Sequence, residues 1–134
     1  MPYEGLLAET VLINGHEGTQ IDAYLARPLG AGPVGSVVLI HHMPGWDAAS
    51  KEMARKLAYN GFATISPNLH FREGKGSPTE NSNSIREAGG MPDVRTMGDV
   101  SAAMDYLRSL PYTNAKVGLI GFCSGGRQTY LGAC

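Results

Sequence analysis

The sequence predicts an α/β fold, a mostly parallel sheet carrying an antiparallel hairpin at its N-terminal edge. Three observations predict it. Two β-like runs, Glu9 to Ile13 and Gln20 to Arg27, flank the turn-forming Asn14-Gly15-His16-Glu17-Gly18, the pattern of a hairpin. Ser36-Val37-Val38-Leu39-Ile40 is a continuous rather than alternating apolar run, as a strand buried on both faces of a parallel sheet requires. From there on, helix-like and strand-like runs alternate, the order that right-handed crossovers need.

Each element has its own local argument. Pro28 to Gly35 connects the hairpin to the apolar strand. Asp47 to Tyr59 has helical composition, with Met53, Leu57 and Ala49 assigned to one face and Gly61 placed as a C-terminal cap. Phe62 to Ser66 is the next short strand. Pro67 to Met91 is rich in Gly, Ser, Asn and Pro and shows no apolar period, so it reads as a long loop or a loop with a short helix, and a loop of that length is functional or disordered. Pro92 opens a helix whose stripe is Val94, Met97, Val100, Met104 and Leu107, and Pro111 closes it. Lys116 to Ile120 is a further strand, and Gly125 to Leu131 winds into a helix behind it. No internal repeat is present.

Composition narrows the class. With 134 residues and 43% hydrophobic content the chain is a single domain's worth, residues 1–134, with a modest core. A net charge of -1 without a basic stripe argues against nucleic acid as a partner. No run approaches the ~20 apolar residues of a membrane span, and Met1-Pro2-Tyr3-Glu4-Gly5 lacks the basic and apolar regions of a signal peptide. A cytoplasmic protein is expected. The two cysteines, Cys123 and Cys134, would stand roughly 16 Å apart on one helix, too far for a disulfide; free thiols fit a reducing compartment.

Chemistry concentrates at Gly121-Phe122-Cys123-Ser124-Gly125, a Gly-x-Cys-x-Gly turn between a strand and a helix. At such a sharp turn the residues two before and two after the central one press together and must be small, which Gly121 and Gly125 satisfy. Cys123 would stand proud of the sheet at a helix N-terminus, where the dipole favours thiolate, and the N–H of Ser124 could donate to an oxyanion. The competing reading makes Cys123 a small packing residue and the glycines mere spacers.

The loop after the apolar strand, His41-His42-Met43-Pro44-Gly45-Trp46-Asp47, should leave from the same sheet edge and face the elbow. The N–H of Met43 would complete an oxyanion hole with that of Ser124. Trp46 is either a hydrophobic wall for substrate or a core aromatic. His42 is either a substitute base for Cys123 or a loop histidine bonded to backbone. Adjacent residues at a strand end point oppositely and no third ligand follows at metal spacing, so no zinc site is expected.

These residues resemble the dienelactone hydrolase family of α/β-hydrolases. The resemblance runs through Val37 to Ile40 with the His-x-x-x-Gly loop, Pro67-Asn68-Leu69-His70-Phe71-Arg72, Asp99 to Leu107, and Lys116 to Gly126. It implies an α/β-hydrolase-like fold and opening of lactones or cleavage of carboxylic esters, without a cofactor, with Cys123 as nucleophile and Met43 and Ser124 at the oxyanion hole. Many members carry glutamate where His42 stands, a carboxylate that helps control the resting thiol. The family's arginine for a substrate carboxylate corresponds to Arg72 or Arg86.

In α/β-hydrolases the acid and histidine follow the nucleophile in the chain, yet no Asp, Glu or His follows Cys123 here. The fold is therefore expected to be incomplete at its C-terminal side, with the missing strands, Asp and His supplied by a second polypeptide, and the small-molecule substrate an ester or lactone. The alternative is a non-catalytic α/β small-molecule binding domain with a decayed site. Gly118, Gly121 and Gly125 do not give the spacing of a dinucleotide fingerprint.

Overall fold

The computed structural model of the chain describes residues 5–30, 32–73, 76–122 and 124–133. Five strands form one sheet in the order β1-β2-β4-β3-β5. β1 (Leu6–Asn14) and β2 (Gln20–Pro28) are the expected antiparallel hairpin, in register from Leu6↔Pro28 to Asn14↔Gln20. β2 also runs antiparallel to β4 (Ala63–Pro67). β3 (Val34–Ile40) lies parallel to β4 on one side and to β5 (Thr113–Gly121) on the other. The hairpin turns through Glu17 and Gly18, both with positive φ, a region open to glycine and strained for glutamate.

Both faces of β3 are covered, as its unbroken apolar run demands. Val38 and Ile40 join Ile21, Ile65 and Leu69 under α3 (Asp93–Ser109), whose Val100, Ala103 and Leu107 fill that side. Leu39 points the other way, onto Ala54 and Ala58 of α1 (Ala48–Tyr59). Small residues there let the helix approach the sheet closely. α1 is capped at both ends. The Asp47 side chain accepts from Ser50 N–H, and beyond Asn60, Gly61 takes φ +103 while Gly61 N–H and Phe62 N–H bond back to Ala58 and Leu57 carbonyls, the paired closure of a Schellman turn.

Two expected helix faces shift. α1 buries Ser50, Ala54 and Ala58, leaving Ala49 exposed, because one residue is a 100° turn around the helix. α3 buries Thr96, Asp99, Val100, Ala103 and Leu107, and Val94, two residues from Thr96, is 72% exposed on the far side. The stretch from 67 to 91 holds more structure than its composition suggests: a short 3-10 turn at Phe71–Glu73 and α2 (Pro78–Glu87). Ser77 caps α2, its Oγ accepting from Glu80 N–H and donating to Glu80 Oε1. That reciprocal arrangement was readable as Ser77-Pro78-Thr79-Glu80.

α4 (Ser124–Ala133) follows β5 and packs hard on it, since a Cβ at Gly132 would come within 2.9 Å of Leu119 Cδ1. Among the described residues no helix is long and apolar enough to cross a membrane.

Candidate active site

The site is set by two neighbouring parallel strands. Ile40, the last residue of β3, pairs in register with Gly121, the last of β5, so the His41–Asp47 loop and the Gly121–Gly125 turn leave from one end of adjacent strands, about 4.8 Å apart. Cys123 lies outside the described residues, as does Cys134; Ser124 is the first residue of α4, and its side chain is likewise outside them. After it, a Cβ at Gly126 would meet the carbonyl oxygen of Gly121 at 3.5 Å, an ordinary van der Waals contact.

Beside this end of the sheet is a cleft of about 370 Å³. The β3 loop supplies His41, His42 and Met43, and the chain after β4 supplies Leu69 and His70; Met91 comes from the segment just before α3, Asp93 from its first residue, and Arg127 from α4. Met43 lies in the turn closed by Gly45 N–H on His42 O, and no backbone carbonyl among the described residues accepts from Met43 N–H.

The two adjacent histidines diverge. His41 turns inward: its Nδ1–H donates to His42 O at 2.9 Å and its Nε2 accepts from Leu69 N–H at 3.1 Å, so both ring nitrogens are spoken for in one neutral tautomer. Its ring meets His70 edge-on, centroids 4.7 Å apart. Burial drives the His41 pKa down to about 3 and that of His70, which also feels Arg95, to about 4. Both are uncharged at neutral pH. Gly45 makes this packing possible, since at φ +120 a Cβ there would be 3.3 Å from His70 Nδ1 and from Pro78 Cβ.

His42 turns instead to Asp47, its Nε2 2.8 Å from Asp47 Oδ2, while Asp47 Oδ1 accepts from Ser50 N–H at 2.9 Å. Burial raises the Asp47 carboxyl, but the Ser50 N–H and His42 outweigh it and the net shift is downward. A neutral His42 donating from Nε2 keeps Nδ1 as a lone-pair acceptor. Sequence reasoning missed Asp47 as its partner. The signal was available, because an Asp directly ahead of a helical run is an N-cap with a second carboxylate oxygen to spare.

The remaining candidates fall in different places. Trp46 donates from Nε1 to Ser66 O at 2.8 Å, with Lys51 Nζ 3.9 Å above its ring; it lines not the first cleft but a second cavity of about 510 Å³ across His70. Arg72 borders the same second cavity, and its guanidinium forks onto the fully buried Asp99 at 2.7 and 2.9 Å. Arg86 is exposed on α2 and lines neither space. The arginine that does border the first cleft is Arg127, which the sequence reading passed over; it holds Asp93 in a bidentate pair at 2.9 and 3.1 Å. Its position one helical turn after Cys123 was the available signal. Among the described residues no three His, Cys, Asp or Glu side chains are grouped to hold a metal.

Comparison with known proteins gives the context. The carboxymethylenebutenolidase of Pseudomonas putida is 30% identical over 132 residues, covering 94% of this chain and 56% of that protein. A candidate dienelactone hydrolase from Klebsiella pneumoniae subsp. pneumoniae superposes with a TM-score of 0.85 at 29% identity, over 97% of this chain and 55% of that one. A dienelactone hydrolase-like promiscuous phosphotriesterase from metagenomic libraries gives 0.79 at 27% identity, over 96% and 54%. The chain spans about half the length of the relatives it matches. The family model described as the dienelactone hydrolase family matches residues 21–134, and the chain belongs to that family.

Proposed function

We propose that this chain carries the nucleophile and oxyanion half of a cysteine-dependent hydrolase of carboxylic esters or lactones. Cys123 as thiolate attacks the carbonyl carbon, the N–H groups of Met43 and Ser124 receive the developing oxyanion, and water hydrolyses the resulting acyl-thioester. Asp and His come from polypeptide outside residues 1–134. His42, with Nε2 tethered to Asp47, is a candidate base that this half contributes to the cleft. The reaction calls on no cofactor, and the thiol it needs is kept reduced in the cytoplasm.

The observation that supports this most is the pairing of Ile40 with Gly121, which sends the loop bearing Met43 and the turn bearing Cys123 out of one sheet end. The test is p-nitrophenyl acetate, followed by burst release of nitrophenolate and by intact mass. A burst with one acetyl group on the chain, lost in Cys123→Ala, is expected, with turnover when the complementary polypeptide is added. No acylation even then would overturn the proposal and leave a non-catalytic small-molecule binding domain.

A further inference from the structure

The second cavity, of about 510 Å³, is walled by parts of the chain that the candidate active site does not use. Asp22 comes from β2, Trp46 and Lys51 from the end of the β3 loop and the first turn of α1, and Asn68 and Phe71 from the chain after β4. The other groups there that could carry charge are accounted for: Arg72 is forked onto Asp99, and His70 is buried and neutral. Two charges are left over. Both Lys51 and Asp22 are half-buried, yet neither the ammonium nor the carboxylate has a hydrogen-bond or ion-pair partner among the described residues.

The two are held near each other without pairing. Asp22 and Tyr24 are alternate residues of β2, so their side chains leave one face of the sheet about 7 Å apart. Lys51 Nζ stands 5.9 Å from the centre of the Tyr24 ring and 3.9 Å from that of Trp46. Two aromatic rings thus position the cation, and the anion is anchored one pleat repeat along the same strand.

We infer that this cavity binds a small zwitterion with an aromatic body, of the aromatic α-amino acid class, its carboxylate on Lys51 and its ammonium on Asp22. A ligand of zero net charge with separated poles satisfies both walls, whereas a simple anion or cation leaves one half-buried charge unmet. Asn68 adds polar support: its N–H donates to Asp22 O at 2.8 Å and its Oδ1 accepts from His70 N–H at 3.2 Å, which leaves its side-chain N–H donors for the ligand. Trp46 has its own N–H committed to Ser66 O, so Trp46 and Phe71 offer the cavity apolar ring surface, suited to a ligand ring. The volume lies within the roughly 300–1,000 Å³ of small-molecule sites. Only His70 also borders the first cleft, so the inference stands without the hydrolase reading.

Trp46 is the chain's single tryptophan, and its selectively excited emission reports on this cavity. L-phenylalanine, transparent at that wavelength, should change the emission saturably. The analogues 3-phenylpropionate and 2-phenylethylamine, each lacking one pole, and L-alanine, lacking the ring, should bind at least about 10-fold more weakly. Lys51→Met and Asp22→Asn should each weaken L-phenylalanine by a similar factor while far-UV circular dichroism stays unchanged. No saturable response up to about 10 mM L-phenylalanine overturns the inference. So does any one of the three analogues binding as tightly as L-phenylalanine, or an affinity that neither substitution moves. The analogue series uses the wild-type chain, and it decides the matter even where a variant fails to fold.

Discussion

Asp99→Asn removes the charge from a carboxylate that is fully buried and makes three hydrogen bonds, two from Arg72 at 2.7 and 2.9 Å and one from His16 N–H at 2.8 Å. The Arg72 side chain is itself only 17% exposed, and its partner holds its guanidinium above the usual arginine range. The substitution strands that cation. Breaking a buried pair from one side destabilises by about 3–5 kcal/mol, a large part of the ~5–15 kcal/mol that a domain has; at roughly 3–5 °C per kcal/mol for a chain of this size, the melting temperature should fall by about 10–20 °C. Urea unfolding followed by circular dichroism, with an unchanged m-value, measures the loss directly. The double variant Arg72→Met/Asp99→Leu removes both charges and orphans only the His16 N–H, so it should lie within about 1–3 kcal/mol of wild type. A loss below about 1 kcal/mol in Asp99→Asn, or a double variant worse than either single change, would refute this reasoning.

Two further outcomes follow from the cleft. His41 and His70 have pKa values of about 3 and 4 in the folded chain against about 6.5 unfolded; the unfolded state alone binds their protons in between, so stability is full above pH 6.5 and falls by up to about 2.7 kcal/mol per pH unit toward pH 4. Urea midpoints from pH 7.5 to 4.5 should show this, with a shallower slope in His70→Asn, and a flat profile in the wild type contradicts it. Asp47→Ala should cost about 1 kcal/mol through loss of the α1 cap, whereas Asp47→Ser keeps the cap and loses only the His42 tether. The Ser variant should therefore be as stable as wild type near neutral pH yet alkylate Cys123 with an altered pH profile; equal destabilisation by both changes speaks against the cap. Because the Asp47 carboxyl is held below its ordinary value, its contribution is present above the ordinary carboxylate range and lost as pH falls through that lowered value.

The strands were legible because burial on both faces leaves a direct mark: no polar residue interrupts Val37 to Ile40, and Leu39 and Ile40 do face opposite layers. The hairpin and the Gly61 closure of α1 were legible because turns are written in local residues. Helix faces were less so. Helices that meet the sheet through Ala54 and Ala58 of α1 or Ala103 of α3 do not stand out against larger neighbours such as Met53 or Val94, and α2 buries only Ser82 and Ile85, too little for a period. In the site, the loop and turn that face each other could be named from the strand ends. What could not be read were pairings that exist only in three dimensions: Asp99 in the middle of a helix looks solvated until Arg72 and the hairpin turn are brought to it, and His70 looks like an ordinary loop residue until His41 meets it edge-on.

The bond from His16 N–H to Asp99 joins positions 83 residues apart, and this separation governs when it forms. A hairpin such as β1–β2 closes on a timescale of about 1–10 μs from its own turn, whereas a link across 83 residues awaits the collapse of the strands and helices between. The lock between the turn and α3 is thus a late event. Interactions absent from the folding transition state act on the rate of unfolding rather than of folding, so the Asp99 junction sets how long the assembled sheet persists and has little influence on how fast it is reached.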